Sequence, residues 1–137
     1  MKKLVIILSI SILAGCSTVN DMMDAFLIVY DTNEYKLIND IRTLSSVGKN
    51  KCDDSVESKK IAERVAYETL TLRNYTEHLP HNKPMQGASM ELDNIATGLR
   101  NSYQSGNPVS PAFCKIKFQV IENAAISMQK QSGAKPK

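Results

Sequence analysis

Apolar residues recur at helical spacing through most of this 137-residue chain. Met23, Phe26, Tyr30, Leu37, Ile41 and Leu44 follow at steps of three, four or seven, with Leu27 and Ile38 widening the stripe and Asn33 interrupting it. That period predicts a helix over 19–47, with Gly48 as its stop. A second segment opens at Asp54, with Glu57 three positions on, the spacing of a capping box; both acids suit the positive end of a helix. Its apolar face runs through Ile61, Val65, Leu72, Tyr75 and Leu79, beside Ala62 and Thr69, and Pro80 ends it. PHNKP is a polar turn, and Pro84 fits the first position of a third helix carrying Met85, Ala88, Leu92, Ile95, Leu99 and Tyr103. Interior Gly87 and Gly98 each cost that helix about 1 kcal/mol against alanine, which makes it the least secure. SGNPVSP is a loop, after which Ser110 caps and Pro111 starts a fourth helix.

The fourth segment carries two readings. KIKFQV alternates as a strand would. Yet Cys114, Phe118, Ile121, Ala125 and Met128 make one helical stripe, and Phe113, Ile116, Val120 and Ala124 make another. The length of the run and its start signal favour a helix apolar over more than half its circumference. One stripe suffices for a bundle interior, so the surplus predicts either deeper burial or a groove for a partner helix. Phe113, Phe118 and Ile121 are the candidate partner-binding residues.

Ahead of the helices stands a different pattern. Met1, Lys2 and Lys3 give a basic start, and 4–14 is an apolar run too short to cross a bilayer as a helix, which needs roughly 20 residues. With small residues at its end, this has the form of a secretory signal. The run closes on Leu13-Ala14-Gly15-Cys16, which resembles the lipobox of bacterial lipoproteins. The resemblance implies a diacylglyceryl group on the Cys16 thiol, cleavage before Cys16 and acylation of the new amino terminus; two or three chains anchor firmly where one holds marginally. Ser17, where this family uses Asp for inner-membrane retention, implies the outer membrane, periplasmic face. The expected organisation is a signal peptide over 1–15, a lipidated tether over 16–20, a helical domain over 21–132 and a basic tail over 133–137.

Loss of Lys2 and Lys3 takes the formal charge from +3 to +1, which argues against nucleic acid as a partner. Roughly 120 residues make one small domain. Setting Cys16 aside leaves Cys52 and Cys114, an even pair in an oxidising compartment, and so a disulfide; an unpaired or metal-bound state is the less favoured reading. Four amphipathic helices with short connections predict an all-α, up-down-up-down four-helix bundle. There the second and fourth helices run parallel, and Cys52, in a loop, reaches diagonally across one end to Cys114. The first helix starts near lipid and the disulfide end points away. The turn after the second helix and the tail return towards the membrane, where Lys130, Lys135 and Lys137 either meet anionic headgroups or stay solvated.

No residue set names a chemistry. His78 and His81 flank a proline-broken turn beside Glu77 and Asn82, a poor frame for a metal. Asp53, Asp54 and Glu57 are explained by the helix start, not as paired catalytic acids. There is no Gly-x-Ser-x-Gly, no glycine-rich phosphate loop and no Cys-x-x-Cys-His, and the methionines read as core gap-fillers, not haem ligands. The expectation is no cofactor, no metal, no small-molecule substrate and no catalysis.

The order of lipobox, helix, loop with Cys52, long helix, helix ending near LRNSYQSG and SPAFCKIKF opening a last helix is similar to that of the pilotin lipoproteins of type II secretion. That family implies a small disulfide-bonded helical domain that carries a secretin subunit to the outer membrane by holding one of its helices. The likeness is one of spacing, and it assigns no binding residue. The expected function is binding another envelope protein as a pilotin-like chaperone. The alternative is a structural or superinfection-exclusion lipoprotein of a phage, plasmid or host.

Overall fold

The computed structural model describes residues 29–137. Asp31 starts the first described helix, α1 (Thr32–Lys49), by accepting the Glu34 amide proton on its carboxylate at 2.7 Å. The expected helix over 19–47 is therefore corrected. Residues 29–31 are not helical, and the portion over 19–28 lies outside the described residues. The apolar period runs on through Tyr30, but an aspartate at the capping position fixes where the helix begins.

The other end of α1 is also corrected. Gly48 does not stop the helix, which continues to Lys49 with Asn50 as its cap. Gly48 is buried, and a Cβ placed there would fall 2.5 Å from carbons of the Phe118 ring. Its lack of a side chain is a packing requirement.

α2 (Ser55–Glu77) begins at Asp54, which accepts from the amides of Val56 and Glu57. The box is half made, because the Glu57 carboxylate takes a hydrogen bond from Lys60 and not from the Asp54 amide. α3 (Lys83–Gln104) puts Lys83 first and Pro84 second, one place later than expected. α4 (Pro111–Gly133) is capped by Ser110, which accepts from the Phe113 amide at 3.2 Å. The alternating KIKFQV stretch is helical, and no strand occurs among the described residues.

α1 packs on α2 and α4, and α3 packs on the same two helices, so the bundle closes around one core. Ile38, Ile41, Val65, Leu72, Leu92, Leu99, Phe118 and Ile121 fill it, fully or almost fully shielded from solvent. The buried faces sit slightly round from the apolar stripes. α1 buries Glu34, Ile38, Ile41, Ser45 and Gly48, while Leu37 and Leu44 are only partly covered. The α2–α3 seam is polar: Tyr103 donates to Ser58, Thr69 donates to Asp93, and Thr76 pairs with Ser89. Each bond lets a small polar side chain be buried without an unmet donor or acceptor.

Cys52 and Cys114 form a disulfide with Cα atoms 5.7 Å apart. As expected, Cys52 lies in the loop ahead of α2 and reaches from there to α4, with which α2 itself packs little. Turn bonds from Asn50 to Val47, Lys51 to Gly48 and Asp54 to Lys51 hold Cys52 beside the end of α1, and α1 is a direct neighbour of α4. The crosslink closes a loop with a sequence separation of 62. Loop-closure entropy assigns such a bridge about 4 kcal/mol.

Two measurements follow from this packing. Gly48→Ala is expected to lower the unfolding free energy by about 1–3 kcal/mol in urea, because the Phe118 ring must move. Gly87→Ala and Gly98→Ala, where an added Cβ meets nothing within 4 Å, are each expected to raise it by about 0.5–1 kcal/mol.

Candidate functional site

The inner stripe of α4 belongs to the core. Phe118 and Ile121 have no exposed surface. Both are therefore corrected as partner-binding candidates, since nothing docks on them unless the bundle opens. Phe113 is different, at 38 % exposed, and it continues outward into Ile116 at 63 % and Val120 at 42 %. These three lie at steps of three and four on one side of the helix. They form a ridge that the bundle leaves uncovered, because α4 is apolar on more sides than the core can accept.

The ridge has a shallow depression on each flank. One, beside Phe113, is lined by Gly98, Asn101, Ser102 and Asn107. The other, beside Ile116 and Val120, is lined by Lys49, Asp53, Lys115 and Gln119. The charges on that side are largely matched. Lys115 meets Asp53 at 3.2 Å, and Lys49 donates to Glu122 at 2.6 Å and to Gln119 at 2.8 Å. The Lys117 ammonium lies 5.4 Å from the Phe113 ring centre, a cation–π contact that holds the aromatic edge of the ridge. An apolar centre with a polar rim suits protein contact.

At the opposite end of the bundle lies a polar cluster. Glu34, at the third position of α1, is completely buried. Its Oε1 accepts from Ser132 Oγ at 2.7 Å and from Lys135 Nζ at 2.7 Å, and its Oε2 accepts from Asn82. Lys135 donates a second bond to Asn82 Oδ1 at 2.9 Å. Asn82 stands at the cap position of α3 and makes no capping bond, because its amide is engaged with Glu34 and Lys135. Beside this cluster, the Tyr75 hydroxyl donates to Asp31 at 3.0 Å and accepts from Asn33 at 3.3 Å. Every buried side-chain nitrogen and oxygen among the described residues has a partner.

The tail is not a loose basic extension. α4 ends at Gly133, Ala134 caps it, and Lys135 turns inward. Lys135 is thus withdrawn from the set that was to meet headgroups.

His78 caps α2 and pairs through Nδ1 with the Asn74 carbonyl at 2.8 Å. His81 takes a left-handed turn conformation, φ 57°, as the chain reverses into Asn82. Asp54 is spent on the α2 cap, Asp53 on Lys115 and Glu57 on Lys60. The bond to Glu57, and then its charge, hold the Lys60 ammonium above its ordinary pKa. No group of three metal-ligating side chains occurs among the described residues. Cys16 and the lipobox lie outside those residues, and no described helix is long and apolar enough to cross a membrane.

The sequence did not point to Glu34 or Ser132, and it suggested other surroundings for Asn82 and Lys135. One signal was present. Asp31-x-x-Glu34 repeats the spacing noted at Asp54-x-x-Glu57, and Glu34 stands four residues before Ile38 on the same stripe.

In comparison with known proteins, the chain matches no family model, no curated protein and no solved structure.

Burial raises the Tyr75 phenol above the ordinary tyrosine pKa of 10.0; the hydrogen bond donated to Asp31 and the charges of Asp31 and Glu34 add to that rise, while the bond from Asn33 opposes it. A raised folded pKa means that the unfolded chain gives up this proton first. The contribution is full below the ordinary value and is lost as pH climbs through the folded one. Stability against urea is therefore expected to fall above about pH 10, and the fall is expected to be shallower in Tyr75→Phe. Near pH 7 that variant is expected to lose about 1 kcal/mol for the missing bond to Asp31.

Proposed function

We propose that this chain is a non-catalytic, lipid-anchored envelope protein that binds another envelope protein through the outer face of α4. The observation that carries the reading is the uncovered ridge of Phe113, Ile116 and Val120. Two of these side chains are branched aliphatics, each costing free energy to leave in water, on a helix whose other apolar stripe already serves the core. A partner helix laid along the ridge would cover them and place its polar flanks over the two depressions.

The lipobox-like Leu13-Ala14-Gly15-Cys16 supports export and acylation at Cys16, and Ser17 supports the outer membrane. An up-down-up-down course is supported by the order of the contacts. Glu34 meets Ser132 while Lys49 meets Glu122, and Ser58 meets Tyr103 while Thr76 meets Ser89. With that course, the chain from the anchor joins the bundle at the Glu34 end, and the ridge stands at the disulfide end, facing away from the bilayer. This position suits a soluble or passing protein segment better than lipid. It also suits a pilotin-like chaperone, which must present its cargo site away from its own anchor.

In-cell photocrosslinking tests the reading. A photoreactive residue at Ile116 is expected to capture one discrete envelope protein, and the same residue at Tyr67, an exposed position on α2, is expected to capture none. Ile116→Glu is expected to abolish capture with an unchanged melting curve. Cys16→Ser is expected to move the protein out of the membrane fraction. Absence of any adduct at position 116, or an equal adduct from position 67, would contradict the proposal. Phe118→Ala marks the core by contrast and is expected to cost about 3–5 kcal/mol of stability.

A further inference from the structure

We propose that residues 134–137 form a displaceable strap, latched by the insertion of Lys135 as a built-in ligand into a primary-ammonium site made by Glu34, Asn82 and Ser132. The site comes from three places that the fold brings together: the first turn of α1, the residue before α3 and the last turn of α4. Two of its oxygens, Glu34 Oε1 and Asn82 Oδ1, converge on the Lys135 ammonium at 2.7 and 2.9 Å. The carboxylate is wholly buried, and the lysine side chain is 9 % exposed. Ser132 and Asn82 give Glu34 neutral donors, and the Lys135 ammonium brings a charge to match it.

Among the described residues, few other bonds hold the strap. Beyond the cap of α4, the Lys135 amide donates weakly to the Ser132 carbonyl at 3.3 Å, and the Tyr30 amide donates to the Pro136 carbonyl at 2.8 Å. The Lys137 ammonium sits 5.9 Å from the Tyr30 ring centre. Ala134, Pro136 and Lys137 are exposed, so the strap has little apolar burial of its own. Among the described contacts its ion pair is the buried one, and an ammonium of the same shape offered from outside competes for the same two oxygens. The strap also has a mechanical consequence. The Tyr30–Pro136 bond clips the chain that leads back towards residue 28 onto the bundle. Releasing Lys135 unclips Tyr30 from the segment after α4.

Chemical rescue tests this on the full chain. Lys135→Ala removes three methylenes and the ammonium, the outline of n-propylammonium. The variant is expected to exchange the Tyr30 amide at least about tenfold faster than the parent, by hydrogen-exchange NMR, with the disulfide end unchanged. Adding n-propylammonium is expected to restore slow exchange and the melting midpoint saturably. Propyltrimethylammonium, which has no N–H to donate, is expected to do neither. Combining Glu34→Gln with Lys135→Ala is expected to remove the rescue. Lys135→Met keeps the stem and serves for the exchange measurement if the alanine variant is too unstable. Unchanged Tyr30 exchange in Lys135→Met, or equal effects of the two amines on Lys135→Ala, would overturn the proposal, as would failure of both variants to fold.

Discussion

The Phe118 ring lies against Gly48, and that contact decides which side of α4 is inside. Any side chain at position 48 would occupy the space the ring takes. With Phe118 seated there, Cys114, Ile121, Ala125 and Met128 follow it into the core at helical steps, and Phe113, Ile116 and Val120 are turned outward. A rotation of α4 large enough to hide the outer ridge would pull Phe118 from its seat and strain the bridge between Cys52 and Cys114. The disulfide and the glycine contact therefore enforce one rotational setting of a helix whose composition alone would tolerate two.

The two ends of the bundle are held by different forces. At one end a covalent bridge and a surface pair between Lys115 and Asp53 join α4 to the end of α1. At the other, a buried carboxylate of α1 gathers partners from the cap of α3, the last turn of α4 and the segment after it. Buried ion pairs cost nearly as much in desolvation as they return, so this second end owes its geometry more than its net stability to the cluster. The bridged end is held covalently, whereas the segment after α4 is held at the other end by an ion pair and hydrogen bonds. On the proposed reading this difference matters, because the releasable end faces the anchor and the fixed end carries the binding ridge.

How much of this was legible in the sequence differs by element. The inner stripe of α4 was readable because five apolar residues repeat at steps of four and three, and a helix with a capping serine and a first-turn proline has few alternatives. The choice between its two stripes was not readable, because it depends on Gly48, and a glycine at a helix end has the same letter whether it stops a helix or seats a ring. The start of α1 was hidden by Tyr30 and Phe26, which continue the apolar period across the boundary that Asp31 imposes. The polar cluster lay further out of reach: Lys135 is 101 positions from Glu34 in sequence, and only the closed bundle brings them together. A glutamate in line with an apolar stripe was the one local sign that something polar goes inside.

The orientation of α4 is what the proposed binding face rests on, and it is open to direct measurement. A soluble paramagnetic probe broadens methyl signals in proportion to their exposure to solvent. The Ile116 and Val120 methyls are expected to broaden strongly, and the Ile121 methyls to persist at the same probe concentration. Broadening of Ile121 to the extent of Ile116 would contradict it, because the last helix would then sit with its other face outward.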